Sequence, residues 1–145
     1  MKAQDLMTKN PKTCEASDTL RAVIEIMRDE DCGLVPIIEG NGEGRVVGVV
    51  TDRDAALYLG GEDRKPSEVH ASDVMKSNIV SCGPDADISE ITRMMETAQV
   101  RRILVCEGER LLGVISTADV ARGAARNEAG RVLEGVSQPG HTRGH

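Results

Sequence analysis

The sequence predicts an α+β fold made of two pseudo-symmetric β-α-β-β-α repeats packed sheet to sheet. Three observations carry that reading. The chain matches itself at an offset of 68 residues. Each copy has an apolar stripe at helical spacing followed by two short apolar runs separated by a turn. Each copy then ends on the same Gly-x-x-(Thr/Ser)-x-x-Asp spacing. At the offset, Asp5-Leu6-Met7 falls on Asp73-Val74-Met75, Asn10 on Asn78, Cys14 on Cys82, Met27 on Met95 and Glu39-Gly40 on Glu107-Gly108. Past that turn the second copy is three residues shorter, so Gly48 to Asp54 falls on Gly113 to Asp119.

Taken in order, each repeat opens with a short helical segment, Gln4 to Met7 or Ser72 to Met75. A brief strand follows, ending near Thr13-Cys14 or Ser81-Cys82. The next element is a helix with Asp18 or Asp87 as N-cap. Its buried face is Leu20, Val23, Ile24 and Met27 in the first copy and Ile88, Ile91, Met94 and Met95 in the second. Two short apolar runs then read as a hairpin, Leu34 to Ile38 with Val46 to Thr51, and Ile103 to Cys106 with Leu111 to Ser116. The Gly-rich stretch from Glu39 to Gly44 is the first hairpin's turn. A last helix starts near Asp52 or Thr117. Such a unit leaves one sheet face apolar and uncovered, and packing two copies together would bury it. The expected domain boundaries are residues 3–60 for repeat 1, a charged linker over 61–70 containing Pro66, 71–126 for repeat 2, and a C-terminal helix and tail over 127–145. Val132, Leu133 and Val136 would share a face of that last helix, which Gly130 weakens. The tail beyond Pro139 reads as a frayed polar end.

Composition bounds the function. A chain of 145 residues, 39% hydrophobic and 29% charged, is globular rather than disordered, with no apolar run long enough to cross a membrane. The residues after Met1 lead into no apolar signal core, so the cytoplasm is the expected location. A net charge of −6 argues against phosphate-driven nucleic-acid binding. Tyr58 is the only aromatic residue, so successive bases would find nothing to stack on. Cys14, Cys32, Cys82 and Cys106 form no CxxC pair and read as buried thiols, with no metal site expected. No nucleophile–base order, metal cluster or P-loop appears, and His70, His141 and His145 fall in the linker and tail, so no catalytic residue is assigned.

The strand-to-helix corners hold the chemistry. Thr51, Arg53 and Asp54 put a hydroxyl, a guanidinium and a carboxylate at a helix N-terminus, where phosphate and ribose hydroxyls find partners. The second copy offers Ser116 and Asp119, with Ala118 in place of Arg53; Arg101 and Arg102 are its expected cations. One such corner alone reads as an ordinary N-cap. The same spacing twice, in register with a full repeat, favours a ligand role.

These residues resemble the CBS domain, named after cystathionine β-synthase, which occurs in tandem pairs called Bateman modules. The resemblance rests on Asp5-Leu6-Met7, Asp73-Val74-Met75, Leu34-Val35-Pro36-Ile37, Val100-Arg101-Arg102-Ile103 and both Gly-x-x-(Thr/Ser)-x-x-Asp segments, Thr51-Asp52-Arg53-Asp54 above all. It covers roughly residues 3 to 125, like a stand-alone CBS pair. It implies two clefts between the repeats, with ribose and phosphate on Thr51 and Asp54 or on Ser116 and Asp119. It also implies an adenine ring against Lys12-Thr13-Cys14 with Val35 and Pro36, or against Val80-Ser81-Cys82 with Ile103 and Leu104, where Leu104 replaces a Pro typical of the family. The implied function is a non-catalytic regulatory sensor of an adenine nucleotide or adenosyl compound (AMP, ADP, ATP, S-adenosylmethionine or the NAD class). It would act as a homodimer on a downstream protein partner that the sequence leaves unknown. The alternative is a ligand-independent scaffold, or a thiol or zinc sensor using Cys14 and Cys82.

Overall fold

The computed structural model describes residues 1–40 and 44–134, with side chains as far as residue 129. The first repeat runs α1 (Ala3–Leu6), β1 (Thr8–Lys9), β2 (Cys14–Glu15), α2 (Leu20–Glu30), β3 (Leu34–Glu39), β4 (Arg45–Thr51) and α3 (Asp52–Gly61). A single 3₁₀ turn at Pro66–Glu68 leads to the second, α4 (Ala71–Val74), β5 (Ser81–Cys82), α5 (Ile88–Ala98), β6 (Arg102–Glu107), β7 (Arg110–Ser116) and α6 (Thr117–Glu134). The expected repeat is therefore present twice, with one element added. The polar pair Thr8-Lys9 is a short strand that apolar periodicity does not reveal.

Each half pairs its strands alike. β2 lies parallel to β3, and β3 forms an antiparallel hairpin with β4. β5, β6 and β7 repeat this arrangement. The halves join through β4 and β7, where Arg45 faces Arg110, giving the order β2-β3-β4-β7-β6-β5.

The leading segments are exchanged between the repeats. β1 does not join its own hairpin; it pairs with β7, Thr8 opposite Val114 and Lys9 opposite Gly113. The counterpart of Thr8 is Lys76, and it crosses the other way to β4: the Lys76 and Val49 amides each donate to the other's carbonyl, at 2.9 and 3.0 Å. The short helices follow the same exchange. Ala3 N–H donates to Ala86 O at 2.8 Å, and Ala71 N–H donates to Asp18 O at 2.7 Å. Ala3 and Leu6 consequently complete the second repeat's core with Ile91, Met95, Ile103 and Ile115. Val69 and Ala71 complete the first repeat's core with Leu20, Val23, Val35 and Val50. Val69, at the end of the stretch read as linker, is fully buried.

This exchange explains the glycine of the repeated motif. A β-carbon at Gly48 would lie 2.8 Å from Met75 Sδ and 2.9 Å from Lys76 O. At Gly113 it would lie 2.6 Å from Met7 Sδ and 2.7 Å from Thr8 O. Only glycine lets the other repeat's segment lie this close to the strand.

Two local expectations change. Thr19, not Asp18, caps α2 by accepting from Ala22 N–H; Asp18 instead accepts from Glu15 N–H at 2.7 Å and closes the preceding turn. The short helices begin one residue earlier than expected, because Ala3 and Ala71 are anchored to the opposite repeat. α6 continues through Gly130 to Glu134. Val136, the tail from Pro139 and the tip of the first hairpin turn lie outside the described residues.

Candidate functional site

β4 ends and α3 begins at Thr51. Thr51 Oγ1 accepts from Asp54 N–H at 3.1 Å, and Asp54 Oδ2 accepts from Thr51 N–H at 3.3 Å. This reciprocal cap is what Thr and Asp at this spacing do for the chain itself. It also fixes both side chains at the corner. Asp54 keeps its other oxygen free of the cap, and Lys76 Nζ approaches that oxygen at 3.1 Å from the opposite repeat. The Asp54 side chain is only 8% exposed. Burial pushes its pKa up, but hydrogen bonds from Thr51 and Lys76 outweigh burial, and the carboxyl titrates below its ordinary value.

The second corner has the same cap with different surroundings. Ser116 N–H donates to Asp119 Oδ2 at 2.8 Å, and Asp119 N–H donates to Ser116 Oγ at 3.2 Å. The remaining Asp119 oxygen is held by Arg122 from its own helix. One corner is thus bridged to the other repeat, whereas the second is closed within α6.

The first corner opens onto a cleft of about 960 Å³ between the repeats. Such a volume suits a nucleotide-sized ligand. Thr51, Arg53 and Asp54 stand on one side, and Val80, Arg101, Arg102, Ile103 and Leu104 on the other. Eight expected site residues from two repeats therefore meet in one place. Leu104 N–H donates to Val80 O at 3.0 Å, which ties the stretch before β5 to β6 along the apolar wall. Thr13, Cys14, Val35, Pro36, Ser81, Ser116 and Asp119 do not line this cleft. Cys14, Val35 and Pro36 are buried in or beside the first core.

Arg101 and Arg102, the cations expected at the second corner, line the cleft of the first. At the second corner their contacts are main-chain ones: the Arg101 carbonyl accepts from Thr117 N–H at 2.9 Å, and Arg102 pairs with Ser116 across the β6–β7 hairpin. The Arg102 guanidinium lies across Gly33 and reaches Asp52 Oδ1 at 3.8 Å. Lys76, Asn78, Asp52 and Gln99 also line the cleft and escaped the sequence reading. Lys76 had no detectable signal, because its position follows from the exchange between repeats rather than from any local pattern.

All four cysteines are free thiols, Cys14 and Cys82 buried. Burial raises the Cys14 and Cys82 pKa values to about 11 each, so both are protonated near neutral pH. Among the described residues, no three His, Cys, Asp or Glu side chains stand close enough to hold a metal ion. Among the same residues, no helix is long and apolar enough to cross a membrane.

Comparison with known proteins identifies the family and the fold. The family model for the CBS domain matches residues 3–61 and again 71–126. The YlbB protein of Bacillus subtilis is 33% identical over 138 residues, 94% of this chain and 92% of its own. A crystal structure of Hypoxic Response Protein I with two coordinated zinc ions has 31% identity and a TM-score of 0.73, over 84% of this chain and 98% of the other. The CBS domain pair of protein MJ0100, solved with 5-methylthioadenosine and S-adenosyl-L-methionine, is only 18% identical. It nevertheless shares the fold, with a TM-score of 0.77 over 88% of this chain and 98% of that one.

Proposed function

The chain belongs to the CBS-domain family as a tandem pair of repeats, and on that premise we propose that it is a regulatory module that binds an adenosyl compound between them. The observation that carries this reading is the cleft joining the Thr51–Asp54 corner of one repeat to the Val80–Leu104 wall of the other. The ring would lie against aliphatic side chains and main-chain edges, so Tyr58 is not needed. A ribose would offer its two hydroxyls to Asp54, whose carboxylate is held ionised and aimed by the cap.

Binding would rearrange ion pairs that now join the repeats. Lys76–Asp54 and Arg102–Asp52 both cross the cleft. A diol on Asp54 competes with the Lys76 ammonium and releases it toward the ligand. A ligand touching both repeats would then bind one relative arrangement of them more tightly than another, and a partner protein could read the difference. The role proposed is binding: the Thr51–Asp54 corner offers hydrogen-bond partners and the Val80–Leu104 wall an aliphatic surface.

A thermal-shift titration with AMP, ADP, ATP, S-adenosylmethionine and NADH tests the reading. One of them should raise the melting temperature saturably. Asp54→Ala should weaken that ligand about tenfold or more while costing the fold only about 1 kcal/mol for the lost cap. No shift with any adenosyl compound would overturn the proposal. A shift with zinc alone would favour the thiol or metal reading, which has its support in the zinc-bound relative.

A further inference from the structure

The cleft at Thr51 and its pseudo-equivalent differ in charge, and the difference points to the ligand's tail. Four cations line the first cleft, Arg53, Lys76, Arg101 and Arg102, against three carboxylates, Asp52, Asp54 and Glu96. Two of those carboxylates are matched already, Asp54 by Lys76 and Asp52 by Arg102. Arg53 and Arg101 are exposed and have no ion-pair partner among the described residues. This local surplus of positive charge sits on a chain whose net charge is −6.

The internal repeat supplies the control. The positions equivalent to Arg53, Lys76, Arg101 and Arg102 are Ala118, Thr8, Gly33 and Leu34, none of them charged. Lys12 and Arg28 enter at the places of Val80 and Glu96, but Glu30 and Asp31 enter at those of Ala98 and Gln99. Arg102 stands at the place of Leu34, yet its guanidinium is turned to Asp52 at the first corner. The second corner's Asp119 is already held by Arg122. Divergence has gathered cations at one corner of a nearly symmetric molecule.

Resting on the adenosyl reading above, we infer that the Thr51–Asp54 cleft selects a phosphorylated adenosyl nucleotide over a neutral or cationic adenosyl compound, and that each chain binds one. The ribose occupies Asp54. The phosphates face Arg53 and Arg101, joined by Lys76 once the diol displaces it. The tail of S-adenosylmethionine, a sulfonium and an ammonium against one carboxylate, is net positive and would meet the same cations at a disadvantage to phosphate.

Calorimetric titration of the full chain with ATP, ADP, AMP, adenosine and S-adenosylmethionine tests this. Affinity should rise with phosphate count, with adenosine and S-adenosylmethionine at least about tenfold weaker than the best nucleotide, and one site per chain. The preference should fade as salt is raised. The double variant Arg53→Ala/Arg101→Ala should lose the preference for phosphate, its affinity for ATP falling to within a few-fold of its own affinity for adenosine. Adenosine or S-adenosylmethionine binding as tightly as ATP would overturn this inference and leave the adenosyl reading standing, as would two equal sites. Failure of every adenosyl compound to bind the folded chain would overturn both.

Discussion

Gly48 and Gly113 decide how closely the repeats approach. A methyl group at residue 113 would meet Thr8 O at 2.7 Å, a main-chain atom that cannot swing aside. We expect Gly113→Ala and Gly48→Ala each to cost about 1–3 kcal/mol in denaturant unfolding. Gly60, inside α3, has nothing within 4 Å of the corresponding position. Gly60→Ala should be neutral or stabilise by about 0.5–1 kcal/mol, because alanine loses less conformational freedom in a helix. The sequence marked Gly48 and Gly113 as a repeated pair but offered no reason for them. The reason is steric and lies in the other repeat, beyond the reach of local pattern. Thr51 and Asp54 were legible for the opposite reason: cap and corner are three residues apart, and local geometry fixes them.

The exchanged segments are the elements that most alter the expected architecture. Leu6 is 6% exposed, and it packs in the core of the repeat that follows its own. Leu6→Ala should cost about 2–4 kcal/mol. Native-state hydrogen exchange should then lose protection in α5 and β6 before α2 and β3. The reverse order would mean that each repeat keeps its own leading helix. The helices α2 and α5 and both hairpins were readable because each buries a face whose spacing shows in the sequence. β1 was not, since two polar residues with main-chain bonds to a distant strand carry no periodicity.

Across the whole molecule, each hydrophobic core draws residues from both repeats, so neither is complete alone. Calorimetry should show one cooperative transition, with calorimetric and van't Hoff enthalpies equal; two separable transitions would contradict the exchanged cores. The same exchange builds the site. It brings Lys76 to Asp54, and the meeting of the halves sets Arg53 opposite Arg101 and Arg102, so that one cleft gathers cations whose sequence positions are far apart. The sequence by itself determined the repeat, its main helices and hairpins and both capped corners, because periodicity, turn chemistry and capping act over a few residues. Which repeat completes which core, and which side chains face each corner, was decided only by the tertiary structure. Those contacts come from strand pairing and burial between residues far apart in the chain, as Lys2 opposite Asp87 and Thr19 opposite His70 illustrate, and no local pattern encodes them.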